Sequence, residues 1–325
     1  MYRHLNNARH VIKRLDSKLH VIAVVFNPLR FQSRYNLFKE FAKRTEDSGA
    51  ELYVTELAFG ERPFEIGDPN NSNHFLYRTS DELWHKERMI NVSVSRLPSD
   101  WKYVAWVDAD VTFLNHDWAH ETIQQLQHYD VVQMFTHATD VGPNGEPAAQ
   151  FEGFAHSHTL RRPFPIMNPR KDAPRSYYNG RYWHPGYGWA YTRDAWDALG
   201  GLLDINIVGG GDHQMAYGLI DRVDETIPEG STADYANRVR FWGHNAARLL
   251  TGNIGAVPGT VVHHFHGQKV NRGYNSRWRI LTDNAFDPMT DLKNDWQNML
   301  SFTGNKPRLR DDLRTYFRAR NEDSI

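Results

Sequence analysis

Cysteine is absent from this chain of 325 residues. That excludes disulfides and thiolate metal sites, and it fits a reducing compartment. Long hydrophobic runs are missing too. The longest early one, VIAVVF at 21–26, is far short of the ~20 apolar residues of a membrane helix. The first twenty residues are polar and basic, with no apolar signal-peptide core. The expectation is a soluble, cytoplasmic protein with no membrane insertion. Nor is there an excess of charge of one sign, since 38 Lys and Arg face 39 Asp and Glu. The balance is uneven along the chain. Basic residues outnumber acids in 1–20, 160–183, 269–279 and 306–320, and the remainder is acidic. Such runs form solvated surface or, gathered by the fold, one basic face for an anionic ligand.

What is present suffices for a folded core: 40% hydrophobic residues, including ten tryptophans. VIAVVF runs into Asn27-Pro28, as a buried strand would. QSRYNLFKEFAKRTEDSG puts Tyr35, Phe38, Phe41 and Ala42 on one helical face, with Gly49 as the stop. ELYVTEL (51–57) reads as a second strand. Thr79 and Glu82 have capping-box spacing ahead of DELWHKERMINVSV, which predicts a helix over 81–94. The strand YVAWV, a helix over 117–128 and the strand DVVQMF (130–135) complete the first half. This alternation predicts an α/β fold, a mostly parallel sheet flanked by helices, with ligands bound beyond the carboxyl ends of its strands. Residues 138–182 read as one long irregular loop, a length associated with function or mobility. The chain after about 270 reads as a polar, helical C-terminal extension of a single domain.

YVAWVDADVTF (103–113) carries the chemistry. Two carboxylates held together repel each other, and burial penalises both unless a cation or hydrogen bonds compensate. Hard oxygen ligands suit Mg²⁺ or Mn²⁺, while an aspartate capping a strand-end turn is the plainer alternative. In VVHHFHG, His264 and His266 share one face if the segment is extended, with His263 on the other. Three imidazoles within four residues favour a ligand role. Asp212 follows three glycines, which allow a ligand to approach closely or simply a tight turn. Asp212 could equally cap the helix after it.

At these residues the chain resembles the GT-A fold glycosyltransferases. WVDADVTF is similar to their Asp-x-Asp motif, GWAYTRDAWDALGGLLDINIVGGGDHQMAYGL to their second signature, and HHFHG to their late metal-ligating histidine. The match runs from about residue 20 to 270 by order and spacing of motifs. Two departures stand out: Gly211 precedes Asp212 where a glutamate is usual, and His-Phe-x-Gly resembles a retaining branch, leaving His264 and His266 both open as ligand.

The resemblance implies a metal-dependent transfer of sugar from a nucleotide-sugar, a UDP-sugar by preference, with Mn²⁺ or Mg²⁺ as cofactor. It implies Asp110 with His264 or His266 on the metal, Asp108 on metal or ribose, and Asp212 as general base of an inverting reaction. Asn27, Arg30, Arg34 and Glu56 would meet the nucleotide, as would Lys86, Arg88 and Asn91. Residues 1–270 would form the catalytic domain, with a nucleotide half (20–135) and an acceptor half (136–270), followed by the extension 271–325.

Trp183, Tyr187 and Trp189 could stack on a sugar or base, although Trp189 suits a core equally. His213, Arg175 and Arg181 join them as candidate acceptor contacts. LRRPFPIMNPRKDAPRSYYNGRYW interleaves arginine with aromatics, a composition that grips phosphates and stacks bases. The acceptor is therefore a soluble glycan or a hydroxymethylated pyrimidine in DNA, as modified by viral DNA glucosyltransferases. Two rivals stand beside this reading. DADVT also fits a haloacid-dehalogenase-like phosphatase, and a non-catalytic sugar- or nucleic-acid-binding module would carry the same composition.

Overall fold

The computed structural model describes residues 17–164, 183–274 and 276–324. β1 (Leu19–Phe26) leads into α1 (Gln32–Asp47), β2 (Glu51–Phe59), β3 (His74–Thr79), α2 (Lys86–Val94), β4 (Tyr103–Val107), β5 (Val111–Phe113), α3 (Trp118–Gln125) and β6 (Val131–Gln133). β7 (His137–Val141), β8 (Pro147–Gly153), α4 (Phe154–Thr159), β9 (Trp183–His184), β10 (Gly188–Thr192), α5 (Arg193–Leu199), α6 (Gly211–Leu219) and α7 (Ala233–Leu250) follow. The chain continues through β11 (Ile254–Ala256), β12 (Thr260–His263), α8 (Trp278–Asp283), α9 (Pro288–Asp291), the hairpin β13 (Leu292–Asn294) and β14 (Leu300–Phe302), and α10 (Pro307–Ala319).

The main sheet has seven strands in the order β11-β6-β10-β4-β1-β2-β3. Only β10 runs antiparallel to its neighbours β4 and β6; the other pairings are parallel. Its strands alternate between two cores. Val21, Ala23 and Val25 of β1 enter one, with Ala105 and Val107 of β4; Ile22, Val104 and Trp106 enter the other. Helices cover both faces: Phe38 and Phe41 of α1 pack on the first core, Ile90 and Val94 of α2 on the second. Burial on both faces is why these strands read as unbroken apolar runs and not as alternating ones. A second sheet runs β5-β12-β7-β8-β9, and its strand β5 follows β4 of the first after residues 108–110.

Several expectations are corrected. The helix placed over 81–94 begins only at Lys86. Thr79 accepts from the Asp81 amide in a local turn, and the Trp84 amide is committed to Ile207 O at 3.0 Å, so tertiary contacts hold 80–85 out of the helix. The irregular stretch from 138 contains β7, β8 and α4 as far as its described residues reach. The C-terminal extension carries α8, α9 and α10 as expected, and between α9 and α10 the unexpected β13–β14 hairpin. Among the described residues, no helix is long and apolar enough to cross a membrane.

Candidate functional site

β4 lies at the centre of the main sheet and ends at Val107. There the Asp108 amide donates to Tyr187 O at 2.8 Å, and three residues later β5 begins in the second sheet. Asp108 and Asp110 thus occupy the corner where the chain passes between sheets, beyond a strand's carboxyl end. β12 pairs antiparallel with β5, setting His263 opposite Val111, and the His264 amide donates to Asp110 O at 2.8 Å. The sheet pairing is what carries the late histidines to the early aspartate.

Asp110, His263 and His266 offer ligand atoms that all lie within 4.8 Å of one another. Asp110 Oδ2 is 2.8 Å from His266 Nε2 and 3.8 Å from His263 Nε2. Its Oδ1 is buried with no hydrogen-bond partner, an orphaned acceptor of the kind a cation satisfies. Burial acts to raise the Asp110 carboxyl, but His266, His263 and Arg34 hold it well below the usual range. Each imidazole is backed by a carboxylate. His263 Nδ1 lies 2.8 Å from Asp140 Oδ1, which also accepts the Tyr187 hydroxyl at 2.7 Å, while Lys269 reaches Oδ2. His266 Nδ1 lies 3.5 Å from Glu322 Oε2. Both Nε2 atoms are left facing Asp110, the arrangement that orients imidazoles on a metal, so the residues present fit a divalent ion.

The cluster opens on a cavity of about 700 Å³. Lys86, at the start of α2, is buried there and pairs with Asp108. Burial disfavours its charge, yet Asp108, Asp212 and Glu87 keep its ammonium above the ordinary lysine range. Glu87 is also buried, which pushes its carboxyl up to about 8 against the pull of Lys86, with Asp212 and Asp108 adding to the rise. Asp212 sits in the first turn of α6, its Oδ1 accepting from the His213 amide at 2.8 Å. Gly209 (φ +82°) and Gly210 (φ +87°) adopt a conformation that side chains disfavour, and a Cβ on Gly211 would meet Glu87 Oε1 at 2.6 Å. The three glycines therefore bring the amino end of α6 to the cavity wall. Arg34, Lys269, Arg272 and Arg277 also line it, so basic residues from distant parts of the chain converge on one pocket.

Other candidate residues are placed elsewhere. His264 is outside the cluster, its Nε2 2.7 Å from Thr112 Oγ1; the regular strand stops at His263, so alternation no longer sets which histidines share a face. Asp108 is likewise outside it, engaged by Lys86. Asn27, Arg30 and Glu56 line a separate small recess. Asn27 clamps the Phe31 backbone, Arg30 pairs with Glu65 at 2.7 Å, and Glu56 accepts the amides of Glu65, Ile66 and Gly67. Arg88 pairs with Asp204 at 3.0 Å, and Asn91 holds both the amide and the carbonyl of Leu202. α2 thus presents Lys86 and Glu87 to the cavity and turns its next residues to the 201–204 loop.

Trp183 and Trp189 are buried, their indoles donating to Pro163 O and Pro185 O, so neither forms the cavity wall. Tyr187 and His213 do line it. His184 and His263 stack on the Tyr187 ring at 3.9 and 4.8 Å, which makes that ring a support for the cluster. Burial lowers His213 to about 4. Arg175 and Arg181 lie outside the described residues. Sequence reasoning did not single out Glu87, Asp140, Lys269, Arg272 or Glu322. Asp140 and Glu322 stand in ordinary polar contexts, and only the pairing of β7 with β12 and the course of 320–324 give them a role.

No family model matches the chain, and no curated protein matches it. Solved structures that it resembles include the catalytic domain of Drosophila β1,4-galactosyltransferase 7 with xylobiose, at 13% identity and a TM-score of 0.32; this chain spans 62% of that one, with 63% of its own residues. A complex of the same Drosophila enzyme with manganese, UDP-Gal and xylobiose aligns at 12% identity over 90% of this chain and 98% of that one, TM-score 0.39. Glucosyl-3-phosphoglycerate synthase from Mycobacterium tuberculosis, with Mn²⁺, UDP and phosphoglyceric acid, aligns at 9% identity over 86% and 83%, TM-score 0.39.

Proposed function

We propose that this chain is a metal-dependent glycosyltransferase that moves a sugar from a nucleotide-sugar, a UDP-sugar by preference, to a hydroxyl acceptor. The observation that carries the reading is the Asp110–His263–His266 cluster, opening on a cavity with basic walls that also holds Asp212. A divalent ion on that cluster supplies positive charge for the departing diphosphate, and a donor set of one carboxylate and two imidazoles suits Mn²⁺ better than Mg²⁺. Lys86, Lys269 and Arg272 add fixed positive charge along the same wall. Asp212 takes the proton of the acceptor hydroxyl, an inverting arrangement in which the base acts directly on the nucleophile. On this reading the nucleotide half is about 20–135 and the acceptor half about 136–270. Residues from 271–325 complete the pocket through Arg272, Arg277 and Arg320.

The acceptor is a glycan hydroxyl or a hydroxymethyl pyrimidine in DNA. The second option rests on the alternation of arginine and aromatics in 160–183. A thermal-shift panel of nucleotide sugars with and without Mn²⁺ tests the reading. A true donor at a hundred times its Kd stabilises by about 2.7 kcal/mol, and only with the ion. Asp212→Asn keeps that shift while transfer falls by ~10²–10⁴. If no donor shifts the melt, or if phosphate is released from a simple ester in place of transfer, the proposal is wrong and a phosphatase is favoured. DNA binding that weakens steeply between ~50 and ~200 mM salt supports the DNA acceptor, and salt-independent or absent binding leaves the glycan.

A further inference from the structure

The segment after α10 returns to the cluster. Asp323 accepts the backbone amides of Gln32 and Ser33 at the start of α1, both at 2.8 Å, and the Ser33 hydroxyl donates to Glu322 O at 3.1 Å. Glu322 is thereby buried to 2% exposure. Its carboxylate meets three groups: Arg34 through two nitrogens, Arg320 Nε at 2.5 Å, and His266 Nδ1 at 3.5 Å. Close packing holds the arrangement. Gly267, next to His266, has φ +84°, and a Cβ there would stand 2.7 Å from Glu322 Cα.

Asp110 Oδ2, which can only accept, lies 2.8 Å from His266 Nε2. Arg272 places a guanidinium nitrogen 3.0 Å from His266 Nε2, and a guanidinium can only donate. Those two neighbours ask opposite things of Nε2, but a cation held there with Asp110 would occupy its lone pair and leave the proton on Nδ1, the nitrogen that faces Glu322. Without an acceptor on that side, neither the tautomer nor the ring angle is fixed.

We propose that Glu322 is a positioning residue for the metal cluster, holding His266 with Nε2 toward the ion. The inference rests on the metal reading above and deepens it: a residue more than two hundred positions after Asp110 sets the ion's affinity. Asp140 stands closer behind His263, at 2.8 Å, so an acid lies behind each imidazole.

The test is Mn²⁺ titration of the full-length protein by calorimetry, with a melt recorded in the absence of ion. Glu322→Gln is expected to fold and to raise the Mn²⁺ Kd by ~10–100-fold, the usual cost of losing such a partner. Asp323→Asn loosens the same segment's hold on Gln32 and Ser33 but leaves the Glu322 carboxylate at His266 and its pair with Arg34, so its Kd is expected to stay within about threefold of the parent on that scale. Equal weakening in both variants, or an unchanged Kd in folded Glu322→Gln, overturns the inference. If Glu322→Gln does not fold, Glu322→Asp keeps the charge that Arg34 and Arg320 require and only shortens the reach to His266; an unchanged Kd there also overturns it. Parent protein that takes up no Mn²⁺ defeats the metal reading itself, a different and recognisable failure.

Discussion

Asp108 and Asp110 flank Ala109 yet sit in opposite surroundings, and on the metal reading Asp→Asn at each position separates them. Asp110 faces two imidazoles with an unpartnered oxygen, whereas the charge of Asp108 is already countered by Lys86. One unit of negative charge ~4 Å from a divalent ion is worth ~2 kcal/mol in bulk water and ~8 kcal/mol at an effective dielectric of 20. The Asp110 side chain is 17% exposed, so its value lies between these limits. Even the lower limit is about a thirtyfold change in affinity. Asp110→Asn should therefore weaken Mn²⁺ at least thirtyfold in a calorimetric titration. Asp108→Asn should change that Kd less than about fivefold and appear in the melt, because it leaves the Lys86 ammonium buried without its nearest counter-charge. Breaking a buried pair costs ~3–5 kcal/mol, and Asp212 and Glu87 nearby lower that figure here. The reasoning fails if both variants lose Mn²⁺ alike, or if Asp110→Asn stays within threefold of the parent.

Two other variants probe the ground around the cluster. Glu87 titrates near 8 in the folded chain, far above an exposed glutamate, so the folded state holds its proton more tightly and stability falls as pH rises from about 4.5 to 8. Glu87→Gln removes that loss: melts at pH 5, 7 and 9 should show the variant gaining on the parent as pH rises, by at most ~5 kcal/mol at 1.36 kcal/mol per unit, and a gap that does not change with pH refutes the assignment. Gly267→Ala puts a methyl against the Glu322 backbone at a positive φ, costing ~1–2 kcal/mol of conformational strain before any displacement. Its melting temperature should drop and its Mn²⁺ titration weaken together, whereas an unaltered melt would show that 320–324 is not packed as described.

The layered α/β architecture was legible because strands buried on both faces advertise themselves as apolar runs, as VIAVVF and YVAWV do. α1 was legible from the spacing of Tyr35, Phe38 and Phe41, all of which are buried. Local signals failed where distant contacts decide the backbone. The capping-box pattern at Thr79 and Glu82 yields to the bond from Trp84 to Ile207, and the helix waits until Lys86. The corner aspartates were visible as charges at the end of a buried strand. Which histidines join Asp110 was not, because the choice depends on where β12 stops, and a period-two argument presumes that it continues. Asn27, Arg30 and Glu56 illustrate the same limit. Polar residues after strands one and two were expected at a ligand, and they fasten the neighbouring loops. Asp140 and Glu322 had no sequence signal, since a carboxylate that supports another side chain looks like any surface acid until the partner is known.

The wide separation of Asp110, Asp140, His266 and Glu322 along the chain also bears on how the protein acquires and keeps its native state. Closing such distant loops costs chain entropy before any contact repays it, so the cluster is expected to be unformed at the folding barrier. Interactions missing from the folding barrier act on the way out and not on the way in. Manganese added to this protein should therefore lengthen the lifetime of the native state many-fold while leaving the rate of refolding almost untouched.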